Sequence, residues 1–135
     1  MLSRRERTRA ELESRLAPYA DSPAQLTALL DELVASHLLS DERFVEARTH
    51  VLERRFGAAQ VRRRLQRSGA NPALVRSALA GLAPGELARA QAIWAKRFGE
   101  PAKDALERAR QQRFLQARGF SFDIIRRVVR GSEDE

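Results

Sequence analysis

One helical pattern occurs three times in this chain, and it constrains the fold more than any other feature. Residues 16–30, 65–79 and 115–129 align without a gap, and each copy begins with a leucine. A capping residue follows six positions later, as Ser22, Asn71 or Ser121. Helical units that cannot bury their apolar side alone stack on their neighbours. The repetition therefore predicts an all-α, elongated array of tandem three-helix repeats.

The repeats are expected to divide the chain into three parts. Residues 1–39 form the first helical repeat, which could lack a helix at its N-terminus, residues 40–83 a second and basic repeat, and residues 84–135 a third repeat with an acidic tail. A second element also recurs, because residues 53–57 (ERRFG) return as residues 95–99 (AKRFG). About eight helices are predicted in total.

Local signals place the helix starts. Residues that favour N-caps stand at Ser22, Ser40, Asn71 and Ser121, and Thr8 with Glu11 forms a capping box ahead of the first helix. The third helix is predicted to end near Arg55, the fourth to cover residues 58–67, and the seventh to begin near Ala102. The apolar stripe of the second helix is predicted to comprise Leu26, Leu29, Leu30, Leu33 and Val34.

The net charge of +7 is concentrated in the middle of the chain. Residues 40–98 contain 12 basic and 5 acidic side chains, and no acidic residue lies between Glu53 and Glu86. A basic field of this kind attracts polyanions, whereas an ordinary solvated helix face mixes both signs. The candidate contact residues are Arg54, Arg55, Arg62, Arg63, Arg64, Arg67 and Arg76, with a second group at Arg113, Arg118, Arg126 and Arg127.

The fourth helix separates packing from binding. At 100° per residue, Ala58, Val61 and Leu65 share one side. Arg63 and Arg67 point away from that side, and Arg62 and Arg64 flank it. The pattern predicts a buried apolar face and an exposed arginine face.

Catalytic and cofactor motifs are not found in the sequence. There is no phosphate-binding glycine loop, no nucleophile elbow and no cysteine. Glu46 and His50 are one turn apart, but a surface contact is favoured over a metal pair because no further ligand is near. Tyr19 and Trp94 are interpreted as core residues rather than as base-stacking ones. We predict no enzyme activity, no cofactor and no metal.

Long apolar segments are also lacking. No run approaches the roughly 20 residues needed to cross a bilayer, and no signal-peptide core is present. Without cysteine, neither a disulfide nor a thiolate metal site can form. A cytoplasmic protein without membrane contact is expected.

Four segments give the chain a family resemblance. They are residues 9–12 (RAEL), residues 38–47 (LLSDERFVEA), Phe56-Gly57 followed by residues 61–65 (VRRRL) and Gly69, and residues 113–122 (RFLQARGFSF). Together they resemble the RecX family of recombination regulators, across nearly the whole chain.

The resemblance implies a function in DNA repair by homologous recombination and in the SOS response. It implies a monomer without an active site that binds the RecA nucleoprotein filament, lies along its groove and modulates, usually inhibits, ATP turnover and strand exchange. Bare single- and double-stranded DNA would be bound weakly and without sequence preference.

Two other functions are kept as alternatives. A stand-alone DNA-binding protein of helix-turn-helix type would use one recognition helix and would prefer a base sequence. A basic adaptor would bind a protein partner without DNA. Affinities for bare single strands, bare duplex and RecA-coated DNA, measured at one salt concentration, distinguish the three.

Overall fold

The computed structural model is helical throughout the part of the chain that it describes, residues 6–131. No strand occurs within this range, which confirms the predicted all-α class. Two short 3-10 helices, Ala17–Tyr19 and Ala83–Gly85, lie between α-helices. The α-helices are α1 (Arg9–Leu16), α2 (Pro23–Ala35), α3 (Asp41–Leu52), α4 (Ala58–Arg67), α5 (Pro72–Leu82), α6 (Glu86–Arg97), α7 (Ala105–Ala117) and α8 (Phe122–Gly131).

The predicted N-caps are confirmed by their hydrogen bonds. Ser22 Oγ accepts from the N–H of Gln25 (3.1 Å), and Ser40 Oγ accepts from the N–H of Arg43 (3.1 Å). The Asn71 and Ser121 side chains cap α5 and α8 in the same way, at 2.8 and 3.3 Å. Thr8 and Glu11 form the expected reciprocal capping box of α1. These side chains satisfy backbone donors that have no partner inside a helix.

Two predicted helix ends are wrong by three residues. Helix α3 ends at Leu52 instead of near Arg55, and α7 begins at Ala105 instead of near Ala102. The start of α7 is fixed by Asp104, whose carboxylate accepts from the N–H of Glu107 at 2.8 Å.

The structure contains two compact units. Unit 1 comprises the described residues up to Thr49 together with Arg64–Ala78, and unit 2 comprises His50–Arg63 with the described residues from Leu79 onward. The core of unit 1 contains Leu12, Leu26, Leu30 and Leu39, with Leu16 and Leu33 packed against it. The core of unit 2 lies among α6, α7 and α8 and contains Ala90, Leu115, Phe120, Ile125, Val128 and Val129.

Three side chains predicted to be buried are exposed. Leu29 and Val34 are 41% and 44% exposed, so the buried stripe of α2 is narrower than its leucine content suggested. Tyr19, which was interpreted as core, is 84% exposed in the 3-10 helix after α1. Trp94 is partly buried against the core of unit 2, as predicted.

In unit 1, the N-terminus of α1 forms hydrogen bonds with the turn that contains Gly69 and with the carboxylate of Asp41. The hydroxyl of Thr8 donates to the carbonyl of Ser68 (2.5 Å), and the N–H of Arg9 donates to Asp41 Oδ1 (2.8 Å). Gly69 has φ +74°, and a Cβ there would lie 2.6 Å from that of Ala10. Only glycine combines this backbone with such a close approach.

In unit 2, the N-terminus of α4 forms hydrogen bonds with groups of the same two kinds, a glycine turn and a carboxylate. The N–H groups of Gly57 and Ala59 donate to the carbonyls of Arg118 (2.8 Å) and Gly119 (3.2 Å). The N–H of Ala58 donates to Glu86 Oε2 (3.2 Å). Asp41 and Glu86 are the first residues of α3 and α6. Each unit thus joins a positive helix end to a glycine turn, through one carbonyl in unit 1 and two in unit 2, and to one carboxylate. Negative groups at a helix N-terminus are electrostatically favourable.

Candidate nucleic-acid interface

Helix α4 carries a buried apolar face and an exposed arginine face. Val61 and Leu65 are fully buried. Arg62, Arg63 and Arg67 are exposed, and Arg64 is half-buried. The 3.6-residue period of the helix produces this separation, because the apolar positions recur on one side only. The exposed side chains of Arg62, Arg63 and Arg67 therefore lie outside the buried face on which α4 packs.

Five candidate arginines have no acidic partner among the described residues. Within residues 6–131, Arg54, Arg62, Arg63, Arg67 and Arg76 form no ion pair. Five arginines of this range are paired with carboxylates at 2.8 to 3.4 Å: Arg9 with Asp31, Arg43 with Glu6, Arg89 with Glu86, Arg110 with Glu107 and Arg126 with Asp123. These five side chains are thus not compensated by an acidic residue within the described range, which suits contact with a polyanion.

The candidate residues belong to both units. Arg54, Arg55, Arg62 and Arg63 lie in unit 2, whereas Arg64, Arg67 and Arg76 lie in unit 1. Arg54, Arg55 and Arg76 are exposed. Each unit thus presents exposed basic side chains of its own.

The second group of candidates is mixed in environment. Arg113 and Arg127 are exposed. Arg126 is held by Asp123 (3.2 Å) and lies over the exposed ring of Phe122, with the guanidinium 5.4 Å from the centroid. Arg118 is half-buried, and its Nη1 donates to the carbonyl of Arg55 at 3.0 Å.

Arg118 joins the two predicted groups within unit 2. Its guanidinium lies 5.7 Å from the ring centroid of Phe56 and 5.0 Å from that of Phe114. Arg55, from the first group, lies over the same Phe56 ring at 5.5 Å. Arg97 lies over Phe114 at 5.6 Å and was not among the candidates. The recurrence of Arg-Phe-Gly at residues 55–57 and 97–99 was the sequence signal that could have identified it.

The described residues contain no candidate metal site. No three His, Cys, Asp or Glu side chains within them are grouped as a metal site would need. His50 Nδ1 lies 3.9 Å from Glu53, one turn along the chain. A cleft of about 600 Å³ near the start of α7 is lined by both signs of charge, including Arg97, Lys103, Asp104 and Glu107. No helix within residues 6–131 is long and apolar enough to span a membrane.

Residues 6–131 thus define a helical protein with recurring helix junctions and with exposed arginines in each unit, five of which form no ion pair within this range. The family model for the third three-helix domain of RecX matches residues 85–129. "Regulatory protein RecX" of Leptothrix cholodnii is 45% identical over 134 residues, which cover 99% of this chain and 85% of the relative. The protein of the same name from Chromobacterium violaceum is 44% identical over 135 residues, covering 100% and 88%. The chain belongs to the RecX family.

Solved structures show the same fold. The crystal structure of RecX from Lactobacillus salivarius superposes with a TM-score of 0.83 at 19% identity, over 99% of this chain and 90% of that one. A second crystal structure of regulatory protein RecX gives a TM-score of 0.76 at 17% identity, over 96% and 66% of the two chains. The family resemblance seen in the four sequence segments is confirmed.

Proposed function

We propose that this protein regulates RecA by binding the RecA–DNA filament, and that it lowers ATP hydrolysis and strand exchange without catalysing a reaction itself. Full-length similarity to proteins named regulatory protein RecX supports the regulatory part of the proposal. The observation that carries the binding part is the set of exposed arginines that have no acidic partner in the described chain. In this proposal the protein acts as a cytoplasmic monomer.

The charge distribution favours contact with phosphates or with an acidic filament surface. Basic side chains that neutralise phosphates release counterions, and this gives affinity without sequence preference and with strong salt dependence. Each unit has exposed candidate arginines of its own, so each can contribute contacts to the partner.

A titration of RecA activity tests the proposal. RecA, single-stranded DNA and ATP are held constant while the protein is added from substoichiometric to equimolar amounts. DNA-dependent ATP hydrolysis and strand exchange should fall, and the effect should weaken as salt rises, because screening and counterion competition oppose phosphate contact. Activity that stays unchanged at low salt, with folded protein present, would contradict the proposal.

The helix-turn-helix alternative makes a different prediction. Such a protein would discriminate strongly between duplex sequences, with costs of about 1 to 3 kcal/mol for each wrong base pair. Affinity that is equal for unrelated duplexes, together with tighter binding to RecA-coated DNA, would exclude it.

A further inference from the structure

Three arginines and three phenylalanines of unit 2 alternate in one row. Each guanidinium carbon lies 5.0 to 5.7 Å from the centroid of the ring beside it. We call this row the arginine–phenylalanine ladder; its order is Arg55, Phe56, Arg118, Phe114, Arg97, Phe98.

The ladder is held together by packing contacts between its rings and by burial of one ring. Phe98 and Phe114 meet edge to face, with centroids 5.4 Å apart and planes at 87°. Phe56 is only 7% exposed. Arg118 is fixed from the other side as well, because its Nη1 donates to the carbonyl of Arg55. One buried ring and two partly buried rings thus set the positions of the guanidinium groups.

The ladder concentrates positive charge. Neighbouring guanidinium groups share a ring and therefore lie no farther apart than about 11 Å, close to the screening length of about 8 to 10 Å in physiological salt. Arg55, Arg97 and Arg118 form no ion pair with any residue that the structure describes. Three like charges without a counter-charge repel one another, and a bound polyanion would relieve this repulsion.

The geometry selects phosphates over bases. A guanidinium has five N–H donors, and Arg118 uses one of them within the described chain. Planar groups held in place offer a rigid fork that matches the oxygens of a phosphate. The ring of Phe114 already carries Arg97 and Arg118, and Phe56 is buried, so these rings are poorly placed to stack on bases. Contacts to phosphates carry no sequence preference.

We propose that the ladder binds the phosphodiester backbone of nucleic acid, with Arg55, Arg118 and Arg97 contacting phosphates. The inference deepens the proposed function, on which it rests for DNA as the natural ligand. It adds Arg97 to the contact residues and gives Arg118 a double role, in packing and in binding.

The test uses the full chain and two fluorescent probes, a 30-nucleotide oligo-dT and a 30-base-pair duplex. The R55Q/R97Q variant removes two ladder charges from exposed positions. The matched control is R9Q/R110Q, which removes two arginines that are paired with Asp31 and Glu107. Affinity is measured by anisotropy across a salt series, and folding is checked by circular dichroism.

The ladder variant should bind oligo-dT at least tenfold more weakly than the control at low salt. The slope of log affinity against log salt should flatten by about 1.4 for the single strand and about 1.8 for the duplex, which corresponds to two lost phosphate contacts. The R55K/R97K variant keeps both charges, and its slope should stay near that of the parent. Flattening on one probe alone would identify which form of DNA the ladder contacts.

Equal affinity and slope for R55Q/R97Q and the control would overturn the inference. So would unchanged binding to both probes combined with loss of binding to RecA-coated DNA, since the ladder would then contact protein. A parent that leaves RecA activity unchanged, while R55Q/R97Q loses oligo-dT binding, would refute the proposed function and leave the ladder standing.

Discussion

Gly57 and Gly119 lie backbone to backbone, so that a Cβ on Gly57 would stand 2.7 Å from the carbonyl carbon and oxygen of Gly119. The approach allows the N-terminus of α4 to donate to the carbonyls that follow α7. Neither glycine leaves room for a side chain, because a Cβ on Gly119 would lie 2.6 Å from the backbone nitrogen of Gln60. The stability of unit 2 should therefore depend on both glycines.

Replacing Gly119 by Ala should destabilise the protein by about 2 to 4 kcal/mol. The new methyl group would clash with backbone, which cannot rotate away, and the φ of +96° is unfavourable for any residue with a Cβ. Thermal or urea unfolding measures the change. The control is Gly81→Ala, since Gly81 lies in α5 with open space around it. The control should be neutral or stabilising by up to about 1 kcal/mol. Equal melting temperatures for the two variants would contradict the backbone contact.

Glu86 should contribute more to the stability of the fold than the exposed carboxylates of the chain do. It is 8% exposed, accepts from the N–H of Ala58, and pairs with Arg89 at 3.1 Å. Glu86→Gln removes the charge but keeps the shape, and leaves the partly buried Arg89 without its counter-ion. Such losses cost about 2 to 4 kcal/mol.

Glu107→Gln is the control for that prediction. Its partner Arg110 is largely exposed, and an exposed pair contributes about 0 to 1 kcal/mol. Urea midpoints of the two variants, compared with the parent, give the result. If Glu107→Gln lowers the free energy of unfolding as much as Glu86→Gln does, burial is not what makes the Glu86–Arg89 pair important for stability.

Local interactions could be predicted from the sequence, and long-range ones could not. The caps at Ser22 and Ser121 involve residues three apart, so the residue types alone determine them. The arginine face of α4 followed from helical periodicity in the same way. By contrast, the exposure of Leu29 depends on which elements pack against α2, and no periodicity contains that information.

The ladder illustrates the same limit at the candidate site. Arg55 and Arg118 were predicted as members of separate groups, and Arg97 was not predicted at all. Their rings come from segments about 40 and 60 residues apart, and only tertiary packing brings them together. The recurring Arg-Phe-Gly segments indicated a structural repeat, but not that they meet through Arg118 and Phe114.

The pair of Trp94 and Gln111 gives a further prediction about the core of unit 2. Trp94 Nε1 donates to Gln111 Oε1 at 2.9 Å, and the Gln111 amide, which is 1% exposed, donates to the carbonyl of Glu100 at 3.2 Å. Trp94→Phe leaves a buried acceptor unsatisfied and reduces packing. The expected cost is about 1 to 3 kcal/mol.

A double-mutant cycle with Gln111→Leu isolates the hydrogen bond. The two substitutions together should cost less than the sum of their separate costs, because each removes the same interaction. Circular dichroism follows unfolding here, since Trp94 is the only tryptophan and its fluorescence is lost in the variant. Additive costs within about 0.5 kcal/mol would mean that the bond contributes nothing in solution.

Helix α4 allows binding and folding to be separated on one element. Leu65 is fully buried, and Leu65→Ala should cost about 2 to 5 kcal/mol through lost packing and a cavity. Arg63 and Arg67 are exposed and unpaired within the described chain, so R63E/R67E should leave the melting temperature nearly unchanged.

The same double variant should bind the RecA–DNA filament at least tenfold more weakly, because it replaces two attractive charges by two repulsive ones. A parallel R9E/R110E variant makes the same change in net charge at ion-paired positions and should lose much less affinity. Repeating the measurement over a series of salt concentrations distinguishes local contact from overall charge. The slope of log affinity against log salt concentration flattens when phosphate contacts are lost. If R63E/R67E binds as well as the parent, the contact surface has to be assigned to the ladder and the third repeat instead of α4.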